Sequence, residues 1–293
     1  MKKKLLYFVL FVVWQSCTKN TEVKSAKIVH SIMIKYEDST FNKPIDSLYI
    51  KETDTVFYNK KFLLQGYFKI FEAEKQLYSQ GELDKGRKLG EWLAFQKQSE
   101  SGQWKLIRKS SYNKLGYLQG NLIYYNINTD KPAEIHKYEQ DEEKGKQQIF
   151  YPSGKLHIEY EKDGWNNFIN TYIVYTEQGK ELYKVDLGNN GNGYIKFYND
   201  TNKLEWEGGF VNKKKEGWHK KYSSDNDKSI LVERLLYKND DYTSRTIIFL
   251  PNEEIDVPGQ KADSVTYKSF ANNIFEVIYY HNGNVIKKEK TEG

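Results

Sequence analysis

Cysteine is almost absent from this chain of 293 residues, and Cys17 is the only one. A single thiol forms no internal disulfide bond, so a disulfide framework and dithiol redox chemistry are both excluded. Long apolar runs are equally scarce. The mean hydropathy of −0.80 excludes membrane-spanning segments beyond the N-terminal region.

The chain also has little net charge. Its formal charge is +5, and its first 16 residues contain three lysines and no acid, which leaves +2 for the remainder. Nucleic-acid binding depends on many contacts between cationic side chains and phosphates. The near-neutral balance therefore predicts a partner other than nucleic acid.

Catalytic and cofactor-binding patterns are missing from the sequence. Zinc needs three or four convergent ligands, whereas the histidines are scattered without a close pair. The glycines between Gly188 and Gly193 have the wrong order for a phosphate loop, so this run indicates a turn. We predict a non-enzymatic protein without cofactor or metal, and a hydrolase with an unrecognised carboxylate pair is the alternative. The histidines are His30, His136, His157, His219 and His281.

The N-terminus has the features of an export signal. Three lysines, residues 2–4, precede an apolar run from Leu5 to Trp14, which is too short to cross roughly 30 Å of hydrocarbon. Ser16 and Cys17 follow at once and resemble the lipobox of bacterial lipoproteins. The resemblance implies removal of residues 1–16 and lipid attachment to Cys17. An uncleaved short anchor and an ordinary secreted protein are the alternatives.

A pattern that recurs roughly every 25 residues occupies most of the chain. Its clearest copy runs from Gly193 to Leu204, with a glycine, alternating apolar residues, an aromatic residue at the sixth position, a polar turn and an aliphatic residue. The nine copies begin at Gly66, Gly90, Gly120, Gly145, Asn170, Gly193, Gly217, Ser244 and Phe275.

Two landmarks recur in all nine copies. The sixth-position aromatic residues are Phe71, Phe95, Tyr125, Phe150, Tyr175, Tyr198, Tyr222, Phe249 and Tyr280. The aliphatic residues after the polar gap are Leu77, Leu106, Ile135, Leu156, Leu182, Leu204, Ile230, Ile255 and Val285. The aromatic residue sets the frame, so the aliphatic one is the independent support for a repeat.

Each copy has the pattern of a β-hairpin. The arms alternate apolar and polar residues and are rich in aromatic and β-branched side chains, as half-buried strands require. Residues that favour tight turns fill the gaps, such as Gly154 after Pro152 and Ser153, and Gly283 after Asn282. We therefore predict an all-β fold, an elongated open antiparallel sheet of about nine consecutive hairpins.

Two segments resemble the bacterial variant of the MORN repeat. They run from Gly81 to Trp92 and from Gly209 to Trp218, with a glycine, a polar turn containing lysine, and a second glycine beside an aromatic residue. The resemblance implies a sheet of hairpins without catalytic residues. Family functions are mostly interactions, and some members carry an antitoxin label; a role of that kind would be analogy only.

These patterns predict four regions. Residues 1–16 form the lipoprotein signal, residues 17–27 a polar tether, and residues 28–65 an N-terminal β cap that covers the edge of the sheet. Residues 66–293 form the MORN-like repeat domain.

Aromatic residues make up 15% of the chain. We expect the sixth-position residues to form a cross-strand ladder that packs along one face of the sheet. Tyr67, Tyr194 and Trp218 stand at the second position and share that face, where exposed rings would contact a glycan or a partner protein.

Four short segments are similar to sites that some Gram-negative bacteria O-glycosylate in the periplasm. In each, an aspartate precedes the serine or threonine, and an aliphatic residue or threonine follows it. Ordinary strand-edge residues are the alternative. The candidate acceptors are Ser39, Ser47, Thr55 and Ser264.

These observations together favour a non-enzymatic, lipid-anchored protein of the bacterial cell envelope, at the outer membrane and facing the periplasm. Its repeat sheet would serve as a scaffold for another envelope protein, and the lipid on Cys17 would provide the membrane contact. Glycan or peptidoglycan binding through the aromatic face is the alternative.

Lipid attachment can be tested directly. Because the apolar run ends at Ser16 and Cys17, we expect mass spectrometry of the mature protein to show a lipid-modified Cys17 at its N-terminus. A Cys17→Ser variant should leave the membrane fraction. An intact Met1, or a membrane-bound Cys17→Ser variant, would contradict the prediction.

Overall fold

The computed structural model describes residues 31–50, 55–56, 64–72, 75–165, 167–225, 228–249, 255–257, 260–269 and 274–292. These residues form 23 β-strands and no helix, so the predicted all-β class is confirmed. The strands belong to an antiparallel sheet of 13 strands, a second of eight and a separate pair.

The strands of the first sheet follow one another in sequence. They are β1 (Ser31–Tyr36), β2 (Pro44–Ile50), β3 (Thr55–Val56), β4 (Gly66–Glu72), β5 (Leu77–Asp84), β6 (Arg87–Lys97), β7 (Trp104–Tyr112), β8 (Gly120–Tyr125), β9 (Pro132–Glu139), β10 (Glu142–Phe150), β11 (Leu156–Asp163), β12 (Phe168–Tyr175) and β13 (Glu181–Gly188). From β4 to β13 each strand pairs with the next, while β1 pairs with β4 and places β2 and β3 outermost.

The second sheet continues the same pattern. Its strands are β14 (Gly193–Tyr198), β15 (Leu204–Val211), β16 (Lys214–Asp225), β17 (Lys228–Lys238), β18 (Asp241–Ile248), β21 (Ser264–Ser269), β22 (Ile274–His281) and β23 (Asn284–Glu292). The short strands β19 (Ile255–Val257) and β20 (Gln260–Ala262) pair only with each other. The sequence pattern predicts that β18 forms a hairpin with the segment that contains Ile255. In the structure β18 pairs with β21 instead, and Ile255 lies in the separate pair of short strands.

Four of the joints between copies are tight two-residue turns. Both central residues have positive φ, for example Lys85 at 49° and Gly86 at 80°. This geometry is that of a type I′ turn, whose twist matches that of the flanking strands. The same pair of positive values occurs at the joints Gln140–Asp141, Asn212–Lys213 and Asn239–Asp240, and also at Asn282–Gly283, which is the turn within the last copy.

Most turns at the opposite edge of the sheet are wider, and most carry a bulge. In the turn from Tyr151 to Lys155, the Tyr151 N–H donates to the Lys155 carbonyl at 2.9 Å, and Gly154 has a φ of 84°. The register shifts just before the sixth-position residue, so that Phe150 lies opposite Leu156. The same pairing of the two landmarks joins Phe95 to Leu106, Tyr198 to Leu204 and Tyr280 to Val285.

The third position, two residues after the start, is the landmark that is buried in every copy. All nine third-position side chains are buried, whereas the sixth-position aromatic residues are half-buried in every copy. The expected ladder is therefore not the main core; ring contacts at 5.3 and 4.7 Å join Phe71 to Tyr78 and Tyr78 to Phe95. The third-position residues are Phe68, Trp92, Leu122, Gln147, Tyr172, Ile195, His219, Thr246 and Val277.

Some third-position side chains also replace a missing bond of the sheet ladder. Trp92 donates from Nε1 to the carbonyl of Glu82 at 2.9 Å, where the register of β5 and β6 shifts. Its ring covers Gly81, whose added Cβ would lie only 2.5 Å from the ring. Gln147 accepts from the N–H of Lys137 at 3.0 Å and donates to its carbonyl at 3.2 Å.

The single continuous sheet expected from the sequence is interrupted between β13 and β14. β13 and β14 are not paired by backbone hydrogen bonds. Instead, buried side chains of β14 and β15 pack against buried side chains of β11, β12 and β13, and we call the two faces in contact the inner faces. Two glycines permit the close approach: a Cβ on Gly191 would lie 2.4 Å from the carbonyl oxygen of Phe168, and one on Gly193 2.5 Å from Leu187. The shared core contains Ile158, Tyr160, Tyr172, Val174, Leu187, Ile195 and Phe210.

Burial at the third position predicts an order of stability losses within β14. Ile195 is fully buried and Tyr198 is half-buried. We expect Ile195→Ala to lower the free energy of unfolding by about 2–5 kcal/mol and Tyr198→Ala to lower it by less. Urea unfolding measures both, with hydrogen exchange to locate the loss near the two packed sheets. A larger loss for Tyr198→Ala would show that the sixth position dominates the core.

Candidate functional site

A groove opens where the second sheet continues beyond the part that covers the first. We call it the junction groove, and its volume is about 510 Å³. The inner faces of β15, β16 and β17 form its floor, and β12 contributes one ring from the first sheet. Its apolar and aromatic lining consists of Phe168, Trp206, Phe210, His219, Tyr222, Leu235 and Tyr237.

A continuous line of rings crosses this floor. Phe168 contacts Phe210 with centroids 5.5 Å apart, Phe210 contacts His219 at 5.3 Å, and His219 contacts Tyr237 at 4.8 Å. All three contacts are edge-on, the arrangement favoured by the charge distribution of aromatic rings. The line runs from the shared core of the two sheets to the open part of the second sheet, so the groove is a continuation of that core.

The charged rim of the groove is partly neutralised by ion pairs. Lys220 lies 3.2 Å from Glu207, and Arg245 lies 2.5 Å from Glu233. Among the remaining rim charges, the Nζ of Lys215 lies 4.9 Å from the centre of the Tyr237 ring, and Lys221 is exposed. With Glu205 as the remaining acid, the rim is slightly cationic.

His219 sits at the centre of the groove floor. Its Nε2 lies 2.9 Å from the carbonyl oxygen of Gly209, and its ring fills the space above Gly208, where an added Cβ would lie 2.1 Å away. Burial lowers the pKa of His219, and the bond to Gly209 opposes that effect only in part. The imidazole is therefore held neutral, which preserves the apolar character of the floor.

Glu207 is a buried carboxylate on the opposite face of the second sheet, and the polar ends of two groove-lining side chains, Lys220 and Tyr222, reach it. It is 7% exposed, and it accepts from the hydroxyl of Tyr222 at 2.7 Å and from Lys220 at 3.2 Å. Burial alone would raise the pKa of Glu207, but these two donors outweigh burial and lower it. Burial and the neighbouring Glu207 raise the pKa of Tyr194 to about 12. Glu207 thus acts as the fixed anionic centre of this face.

The three aromatic residues proposed from the sequence as partner contacts do not form one surface. Tyr194 and Trp218 lie on the second sheet, 38% and 37% exposed, and the guanidinium of Arg234 lies 4.8 Å from the centre of the Trp218 ring. Tyr67 lies in β4 of the first sheet, where it is half-buried and contacts Phe41 at 6.1 Å.

The candidate modification sites have different settings. Ser39 is exposed in the turn after β1, where the side chain of Asp38 accepts from the Thr40 N–H at 2.9 Å. Ser47 lies within β2 and is half-buried, and Thr55 begins β3. Ser264 begins β21, and its hydroxyl donates to Asp263 at 3.1 Å. Cys17 lies outside the described residues.

A charged cluster on the first sheet joins neighbouring residues of β9 and β10 to Lys162 of β11, and the repeat frame gives these positions no landmark. Glu143 is buried between Lys162, which contacts it directly, and the Tyr138 hydroxyl at 3.2 Å. His136 lies 3.7 Å from Glu143 through Nδ1 and 2.7 Å from Glu134 through Nε2. The hydrogen bond from His136 lowers the pKa of Glu134. The charges neutralise one another without presenting a nucleophile, and the described residues hold no metal-binding group of three such ligands.

The groove residues were also missed from the sequence. Trp206, Phe210 and Tyr237 lie on strands that return from the wide turns, and the repeat frame gives these positions no landmark. The signal that was present is the glycine pair at Gly208 and Gly209, because adjacent glycines within a strand indicate close approach of another group. That group is the ring of His219.

Comparison with known proteins gives little further information. No family model matches the chain, and no curated protein matches it. A solved structure titled "Crystal Structure of TcdB2-TccC3-TEV" matches with 7% sequence identity and a TM-score of 0.16, and the match covers 83% of this chain and 16% of that one. A similarity this weak carries no argument about fold or function. The described residues contain no helix long and apolar enough to cross a membrane.

The neutral state of His219 predicts a pH dependence of stability. The unfolded chain binds a proton near the ordinary pKa of about 6.5, whereas folded His219 resists protonation. The stabilisation that comes from neutral His219 is therefore complete above about pH 6.5 and decreases as the pH falls toward the lower pKa of His219 in the folded protein. His157, whose pKa is also lowered by burial, acts in the same direction.

A matched variant isolates this effect. Gln147 occupies the equivalent third position and makes a similar bond to a carbonyl ten residues earlier, so His219→Gln keeps a donor and removes the titrating ring. Between about pH 7.5 and 5.5, we expect urea unfolding of the variant to lose less stability than that of the original protein. Equal losses would show that His219 is not held neutral.

Proposed function

We propose that this protein is a non-enzymatic, lipid-anchored protein of the bacterial cell envelope that binds another protein in the junction groove. The observation that carries the proposal is the line of rings from Phe168 to Tyr237, which continues a buried core into an open groove. Phe210 and His219 are buried in the floor, and Phe168 and Tyr237 at the ends of the line are half-buried. Partly open aromatic surface beside a polar rim is typical of interaction sites.

The rim defines the chemistry of the partner. Lys220 and Glu233 are each neutralised by an ion pair with a residue outside the groove. The remaining charges of the rim are Lys215, Lys221 and Glu205, so cations outnumber acids. The groove therefore suits an apolar or aromatic side chain with an acidic neighbour. A volume of about 510 Å³ holds one or two large side chains.

We also propose that the architecture is MORN-like, with nine repeats and an N-terminal cap. Burial of all nine third-position residues supports a common structural unit. The tight joints at Lys85, Gln140, Asn212 and Asn239 support it as well, because they recur at the edge where the resemblance places its glycines. The cap would consist of β1, β2 and β3, which lie at the outer edge of the first sheet.

Glycan binding on the opposite face is the second candidate. Tyr194 and Trp218 expose more than a third of their surface on this face, and such rings stack readily on sugars. If this candidate is correct, purified peptidoglycan should retain the protein and release the Tyr194→Ala, Trp218→Ala double variant. Retention of both proteins would exclude these two rings as the contact.

Photo-cross-linking distinguishes the two faces in intact cells. A photoreactive residue in place of Lys221 lies on the groove rim, and one in place of Trp218 serves as the matched probe of the opposite face. We expect the residue at position 221 to form an adduct with a protein. The yield of that adduct should fall at least tenfold when Tyr237→Ala or Leu235→Asp is added, because anchor residues dominate binding. An adduct only from position 218, or one unaffected by the groove variants, would overturn the proposal.

A further inference from the structure

A second cavity lies between a turn of the first sheet and a turn of the second. It has a volume of about 290 Å³ and is separate from the ring floor of the junction groove, although Glu205 borders both. One wall is the turn that follows Phe150, and the other is the turn that follows Tyr198. The hydroxyl of Tyr151 joins the two walls, 2.7 Å from the carbonyl of Tyr175 and 2.9 Å from the side chain of Asn202.

A buried imidazole in this cavity has an unused ring nitrogen. His157 is 3% exposed, and its Nε2 has no hydrogen-bond partner among the described residues. Its ring packs on Tyr151 with centroids 4.3 Å apart, which fixes its orientation. Burial lowers the pKa of His157, so the ring is neutral and Nε2 can accept or donate one hydrogen bond. A buried polar atom without a partner is costly, and a polar ligand would supply one.

Two asparagines present amide groups to the same cavity. The Oδ1 of Asn126 accepts from the N–H of Asn128 at 2.9 Å, and the Oδ1 of Asn199 accepts from the N–H of Thr201 at 3.0 Å. Their carbonyl oxygens are occupied within the turns, and Nδ2 is the other hydrogen-bonding atom of each side chain. The carboxylates of Asp200 and Glu205 supply acceptors.

Apolar rings complete the lining. Phe150, Phe197 and Tyr198 border the cavity beside these polar groups. A site with donors, acceptors and aromatic surfaces in a small space matches a molecule that has hydroxyl groups at its edge and C–H groups on its face. The two carboxylates oppose a negatively charged ligand.

We propose that this cavity binds one neutral saccharide ring. Hydroxyl groups would bond to His157, Asp200 and the asparagine amides, and the C–H face would pack on Tyr198 or Phe150. This site is independent of the proposed protein contact in the groove, and it differs from the exposed rings of the opposite face. A single ring makes few contacts, so its dissociation constant is expected in the millimolar range.

Ligand-observed NMR on the mature protein tests the proposal with glucose, galactose and N-acetylglucosamine as neutral probes. Glucuronic acid is the matched charged probe, since it differs from glucose only at C6. We expect saturable binding of at least one neutral sugar and binding of glucuronic acid at least tenfold weaker. No saturable binding of any neutral probe, or equal binding of glucose and glucuronic acid, would overturn the proposal.

Two variants locate the binding. His157→Phe keeps the buried ring and removes its nitrogens, and Asp200→Asn keeps the shape of an exposed side chain and removes its charge. We expect both to weaken sugar binding at least tenfold, whereas Asp130→Asn, in a neighbouring turn, should leave it unchanged. Circular dichroism checks the fold of each variant. Undiminished binding by a folded Asp200→Asn variant would overturn the assignment even if His157→Phe failed to fold.

Discussion

The fold depends on the burial of one side chain in each copy of the repeat. A single-layer sheet has no second layer to cover it, so apolar side chains reach full burial only where neighbouring strands close over them. The third position is buried in all nine copies, and the facing sheet supplies the cover for Tyr172 and Ile195. Trp92 is buried by lying over Gly81, and His219 by lying over Gly208. The register shifts beside these glycines create the space, and the buried side chain restores the lost ladder bond, so packing and hydrogen bonding are satisfied together.

The need to bury apolar side chains also explains why the sheet folds back on itself at β14. Ile195 and Phe210 point from the second sheet toward Ile158 and Val174 of the first, and all four are almost completely buried. An unbroken sheet would have left these faces exposed to water, at a cost proportional to their apolar area. The glycines around residue 191 make the fold-back sterically possible. The ion pair between Lys213 and Asp163, at 2.7 Å, joins the rims of the two sheets, where solvent limits its contribution.

Much of the fold could be predicted from the sequence, and the reasons for the failures are physical. Period-two alternation and turn residues were sufficient for strands and hairpins. The sequence pattern did not indicate the third position as a core position, because three copies have a polar residue there. These residues are Gln147, His219 and Thr246. They are tolerated there because each finds a hydrogen-bond partner, as Thr246 does with Thr266 at 2.9 Å. The fold-back escaped notice because its glycines resemble those of the ordinary joints; only contacts with Phe168 and Leu187 distinguish them.

The candidate sites follow from the fold-back more directly than from any motif. A flat sheet offers faces but no concave surface, and ligand sites are mostly concave. The junction groove forms where the second sheet continues past the first, and the smaller cavity forms where the turns after Phe150 and Tyr198 meet. Residues from both sheets line each of them. Sequence reasoning that treats each repeat as a unit therefore finds exposed rings such as Trp218, but not a site assembled by units far apart in the chain. The close approach at Gly191 is one of the contacts that bring together the two sheets from which both sites are built.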